Sequence, residues 1–184
     1  NTLLSGENHP NGVIINYYIK SLKKDDYLRI DIENKDGSLI RSFTNNKNFT
    51  VRNNTNRKNL MVGNPILSNP NDIDNALGSG NLGSLNPKSG GNRLIWDMRY
   101  PGFKSFDGMV LYSSPNVGPK VTPGKYNLRM TYNNTVITKE LEIVKDPRVE
   151  TSQEDFEKQL EFLIEVRNEV SRANQKIIDI RKIK

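Results

Sequence analysis

The sequence contains no cysteine, one histidine (His9), one tryptophan (Trp96) and two alanines (Ala76 and Ala173) in 184 residues. Zero cysteine excludes disulfides, thiol nucleophiles, zinc–thiolate sites and iron–sulfur clusters. One histidine excludes a multi-histidine metal site and argues against a Ser-His-Asp triad. No apolar run approaches 18 residues, so no membrane span is expected. Scarce alanine disfavours a helical bundle. What the chain has instead is 25 Asn, 13 Gly and 9 Pro, a composition of strands joined by loops. No residue pattern calls for a cofactor or a metal.

The formal net charge is +6, and it is unevenly placed. Residues 151–184 carry 7 basic and 7 acidic side chains, so the excess lies in residues 1–150. Nucleic-acid binding would need clustered basic residues interleaved with aromatics. Within residues 1–150 the only dense pairs are Lys23-Lys24 and Arg57-Lys58, and Asp25-Asp26 follows the first. A solvated mixed-charge surface is expected, with no nucleic-acid partner. The chain begins with Asn and shows no signal peptide, so it reads as a processed product or a piece of something longer.

Period-two alternation locates the strands. Val13, Ile15, Tyr17 and Ile19 share one face of the first. Leu28, Ile30 and Ile32 alternate with Arg29, Asp31 and Glu33, and the turn Asn34-Lys35-Asp36-Gly37 returns the chain to a strand at Leu39–Phe43. Leu94, Trp96, Met98 and Tyr100 predict a strand that stops at Pro101-Gly102, with Trp96 in the core. Arg93, Asp97 and Arg99 would form an ion-pair ladder on its outer face. Short strands are expected at Phe49–Arg52 and Met109–Tyr112, and a brief apolar patch at Leu60, Met61 and Val62. Tyr126, Leu128, Met130 and Tyr132, the turn Asn133-Asn134, and Ile137, Leu141 and Ile143 form a second hairpin.

Thr151-Ser152-Gln153-Glu154-Asp155 carries two overlapping capping boxes, Thr151 with Glu154 and Ser152 with Asp155. A long amphipathic helix over 152–184 follows. Its apolar seam is Phe156, Leu160, Leu163, Val166, Val170, Ala173, Ile177 and Ile180, spaced 4, 3, 3, 4, 3, 4, 3. At about 1.5 Å per residue such a helix is longer than a small sandwich is wide, so part of the seam needs a partner elsewhere.

Several motifs are better read structurally. Gly78-Ser79-Gly80-Asn81-Leu82-Gly83 matches GxGxxG, but no βαβ unit surrounds it. Asp72 and Asp74 alternate as calcium ligands do, yet the EF-hand glycine and terminal glutamate are missing. Glu140 and Glu142 alternate with core residues as outward strand residues, not as a facing glycosidase pair. Tyr18, Phe103 and Tyr112 are the candidate exposed aromatic contacts. Three sequons, at Asn48, Asn53 and Asn133, carry little weight among so many asparagines.

Asn8-His9-Pro10-Asn11-Gly12-Val13-Ile14-Ile15-Asn16-Tyr17-Tyr18, Asp36-Gly37 with Ile40-Arg41, the block Asn92–Gly102, Thr122-Pro123-Gly124-Lys125-Tyr126-Asn127-Leu128-Arg129-Met130 and Lys145-Asp146-Pro147-Arg148-Val149 occur in this order. Together they resemble the C-terminal region of large bacterial sortilin-like proteins with neuraminidase-type (BNR) repeats, often labelled glycosyl hydrolases. The β part is also similar to the immunoglobulin-like domain of flagellar hook-capping proteins. The resemblance implies a secreted, periplasmic or cell-surface parent with an upstream β-propeller. Any hydrolase label would belong to that propeller, so no catalytic residue carries over.

The expected architecture is an antiparallel immunoglobulin-like β-sandwich of about seven strands over 8–146, with a long Asn/Gly-rich loop or insertion at 53–91, then the helix over 152–184. The expected function is a non-catalytic accessory module. It would pack against the propeller of the same polypeptide, or against itself, through the sandwich face and helix seam. A carbohydrate-binding module with a glycan ligand is the alternative, and a hydrolase in its own right is a third.

Overall fold

The computed structural model describes residues 11–45, 83–112 and 116–183. Within them the protein is mainly β, with two sheets and one C-terminal helix. The strands are β1 (Val13–Ile19), β2 (Leu28–Asn34), β3 (Leu39–Thr44), β4 (Gly83–Ser84), β5 (Gly90–Trp96), β6 (Gly124–Tyr132) and β7 (Thr135–Ile143), and the helix α1 is Gln153–Ile183. β1 and β5 form a two-stranded antiparallel sheet. The other sheet has the order β4-β3-β2-β6-β7, antiparallel except for the short β3–β4 pair.

Both hairpins form where the turn chemistry places them. Gly37 takes a φ of 83°, which a residue with a Cβ adopts at a cost, and closes the β2–β3 turn. Asn133 takes a φ of 48° and closes β6–β7. Its side chain is engaged there: Oδ1 accepts from the Tyr27 N–H (2.8 Å) and Nδ2 donates to Asp26 (3.0 Å).

Both sheets feed one apolar core. Ile15, Ile19 and Trp96 come from the smaller sheet, and Leu28, Ile30, Ile32, Phe43 and Tyr126 from the larger. Trp96 is fully buried, edge-on to Tyr126 at 6.4 Å between centroids, as the alternation predicts. β2 is buried on both faces. Its second face carries Arg29, Asp31 and Glu33. Arg29 Nε (2.6 Å) and Ser42 Oγ (2.7 Å) both donate to Asp31 Oδ1. Burial pulls the Arg29 guanidinium down, but Asp31 and, after it, Tyr27 together outweigh this and hold the group above its ordinary value.

Four expectations need correction. The strand through Trp96 ends there rather than at Tyr100. Met98 adopts a left-handed φ of 58°, which turns the chain so that the Trp96 indole donates to the Arg99 carbonyl (3.1 Å). Tyr100 N–H then donates to the Pro119 carbonyl, and Val121 N–H to that of Met98. The ion-pair ladder does not form: Arg93 donates to Asn16 (3.2 Å), Arg99 to the Gly118 carbonyl (2.8 Å), and Asp97 accepts from the Arg99 N–H. Met109–Tyr112 is not a strand. The long loop expected over 53–91 contains β4 and the start of β5. Phe49–Arg52, the Leu60–Val62 patch, His9, Asp72, Asp74 and most of the glycine-rich stretch lie outside the described residues.

Candidate functional surfaces

The helix starts at Gln153, where Ser152 Oγ accepts from the Asp155 N–H (3.1 Å) and pairs with the Asp155 carboxylate. Ser152 is thus the N-cap of the second expected capping box, with the Asp155 carboxylate accepting from its hydroxyl. Glu154 and Asp155 lie at the positive end of the dipole, and Arg181 and Lys182 at the negative end.

Polar side chains fasten α1 to the body. Gln153 donates to the Pro123 carbonyl (3.1 Å), Arg167 to that of Pro101 (3.4 Å), Asn174 to that of Lys104 (2.6 Å) and Arg181 to that of Asp107 (2.8 Å). Ser171 Oγ accepts from the Lys104 N–H (3.0 Å), and the Lys104 ammonium bonds Gln175. The Arg181 guanidinium also lies over the Phe106 ring, 4.6 Å from its centroid. Burial lowers Arg167 below the ordinary guanidinium value. The segment 101–107 that α1 grips is itself held by Asn116, which exchanges two hydrogen bonds with the Phe103 backbone (2.9 and 2.6 Å).

The predicted seam is therefore divided. Phe156, Leu160 and Val170 are half-buried, whereas Leu163, Val166, Ala173, Ile177 and Ile180 are exposed. The reason is geometric. The seam takes seven steps in 24 residues, a shorter period than the 3.6 of the helix. At about 100° per residue it drifts roughly 120° around the axis, off the docked side and into solvent. Phe162 and Ile183 are exposed too, with relative exposures of 63% and 87%. The heptad pattern omits both, and the helical wheel about Val166 places Phe162 on its exposed side.

The second surface is the outer face of β1–β5. Tyr18 is 71% exposed and stands opposite Gly91, where a side chain is missing. Beside it, Asn16 accepts from Arg93. Asn16, Tyr17, Tyr18, Gly91, Asn92 and Arg93 line a shallow open depression of about 490 Å³. Sequence reasoning named Tyr18 and missed its neighbours, although Asn16 shares its strand parity. Tyr112 is 95% exposed and Phe103 is half-buried, and no described contact brings either to Tyr18.

Glu140 and Glu142 do not form a facing pair. Glu140 pairs with Lys125 (2.8 Å) across β6–β7, and this hydrogen bond holds it below the ordinary carboxylate range. Glu142 is exposed. Among the described residues no cluster of three His, Asp, Glu or Cys side chains could hold a metal ion, and no helix is long and apolar enough to cross a membrane. No protein-family model, curated protein or solved structure matches this chain.

Proposed function

We propose that this chain is a non-catalytic interaction module: an immunoglobulin-like sandwich that carries a docking helix within a larger secreted or envelope protein. The observation that supports this most is the use α1 makes of its two sides. Polar side chains grip the backbone of 101–107, while Phe162, Leu163, Val166, Ile177, Ile180 and Ile183 are left to solvent. A helix that only completed its own domain would place those apolar residues inward. The resemblance to propeller-bearing proteins makes the propeller of the same polypeptide one partner for this side.

The test is Leu163→Asp with Val166→Asp in the whole chain. Thermal stability should change little, since both sites are exposed, while association with itself or with separately produced adjoining polypeptide should fall. Unchanged association on both counts would rule the helix out as the docking element. A glycan-binding module is the second reading, favoured by Tyr18 standing over the Asn16–Arg93 depression. Here Tyr18→Ala should abolish glycan-array signals, and an array without signals removes this reading.

A further inference from the structure

The charges beside the exposed apolar stripe follow a pattern that the stripe alone does not explain. From Gln153 to Ser171 the helix carries six acidic and two basic residues, and from Arg172 to Ile183 four basic and one acidic. On the side of the stripe away from the body, Glu165, Glu169, Arg172 and Lys176 follow one another along the helix, and all are exposed. Glu165 and Glu169 are like charges one turn apart, and so are Arg172 and Lys176. Such i,i+4 repulsion is unfavourable on an isolated helix. Only Glu169–Arg172 is relieved within the chain, by an i,i+3 pair.

We propose that the apolar face of α1 docks on a second copy of this chain, as an antiparallel helix pair. A two-fold axis crossing the helix between Val170 and Ser171 places Glu165 of one copy opposite Lys176 of the other, and Glu169 opposite Arg172. Each pair is equidistant from that point. The symmetry repeats both pairs, so four acids meet four bases. The same axis brings Phe162 beside Ile180 and sets Val166 between Ala173 and Ile177 of the other copy. In a parallel pair the two rows would lie on opposite sides of the interface and would not meet. The apolar stripe supplies burial, and the charge row fixes direction and register. This pairing rests on α1 being the docking element, and goes further by naming the occupant and its orientation.

The experiment uses two charge-reversed variants of the full chain, Glu165→Lys with Glu169→Lys, and Arg172→Glu with Lys176→Glu. Sedimentation equilibrium at low salt reads the mass across micromolar concentrations. The unmodified chain should shift from one copy to two. Each variant alone carries a row of one sign and should dimerise about tenfold or more weakly. An equimolar mixture should regain the dimer, because the two rows are then complementary along their whole length. That regain also shows that both variants are folded. A mixture no tighter than its components overturns the antiparallel pairing, and so does an unmodified chain that stays monomeric. If Leu163→Asp with Val166→Asp still weakens binding to adjoining polypeptide in either case, the docking role of the helix stands while self-pairing falls.

Discussion

At the residue scale, the second face of β2 shows how a sheet accepts charge. Asp31 is almost completely buried and accepts from both Arg29 and Ser42. Removing one partner of a buried pair leaves the other uncompensated, which costs more than the pair itself contributes. Asp31→Ala should therefore lose about 3–5 kcal/mol of stability in urea unfolding. Ser42→Ala removes two hydrogen bonds, to Asp31 and from Arg29, but no charge, and should cost about 1–2 kcal/mol. Equal losses for the two substitutions would mean that the buried charge matters no more than the hydroxyl that bridges it. The alternation of Arg29, Asp31 and Glu33 marks an outward face in the sequence. The structure buries it, because the spatial neighbours that make burial tolerable are far away in sequence: Ser42 comes from β3, and Arg129, 3.8 Å from Glu33, comes from β6.

At the element scale, α1 separates two kinds of information. Its existence and start are local: a capping box, acids in the first turn, bases in the last and strong helix formers between them. Which side docks is not local. The heptad seam marks Leu163, Val166, Ala173, Ile177 and Ile180 as an interface, and these are exposed, while the body is held through Arg167, Ser171, Asn174 and Arg181. Asparagine and serine on a helix read as solvated positions. Here they satisfy backbone groups of an irregular segment that lacks ladder partners of its own. Asn174 is the one buried residue of the helix, so Asn174→Ala removes its hydrogen bond to the Lys104 carbonyl. The expected loss is about 1–3 kcal/mol in thermal or urea unfolding. Amide exchange should also quicken in 101–107 and the C-terminal half of α1. Unchanged protection there would show that the grip on 101–107 is not what seats the helix.

At the scale of the whole molecule, several carboxylates are held in their charged form by hydrogen bonds. Asp26 is held below the ordinary range chiefly by the Tyr132 hydroxyl (2.5 Å), and then by the Lys23 N–H and the Asn133 amide. Asp36 is lowered by Ser38, Glu140 by Lys125 and Asp146 by Arg148. Each binds a proton less readily in the folded than in the unfolded chain. Their contribution is therefore complete above the ordinary carboxylate values near about 4, and it is lost as pH falls through the depressed ones. The melting temperature should hold steady from about pH 7 to pH 5 and fall below about pH 4. Asp26→Asn should soften that fall, as read by thermal unfolding across the pH series. An identical acid limb in Asp26→Asn would remove Asp26 from the set.

The sequence by itself determined the strands that alternate with period two, the two hairpins whose turns need Gly37 and Asn133, the capped helix and the burial of Trp96. Each depends on residues close together in the chain, where backbone conformation and side-chain parity act directly. Only the tertiary structure decided that β5 ends at Trp96, that Arg93 bonds Asn16 rather than Asp97, and that α1 is fastened through Arg167, Ser171 and Asn174. Those outcomes depend on where backbone groups from distant segments are left without partners, and a period in the sequence carries no record of that. They also put the apolar stripe of α1 in solvent beside a row of opposite charges.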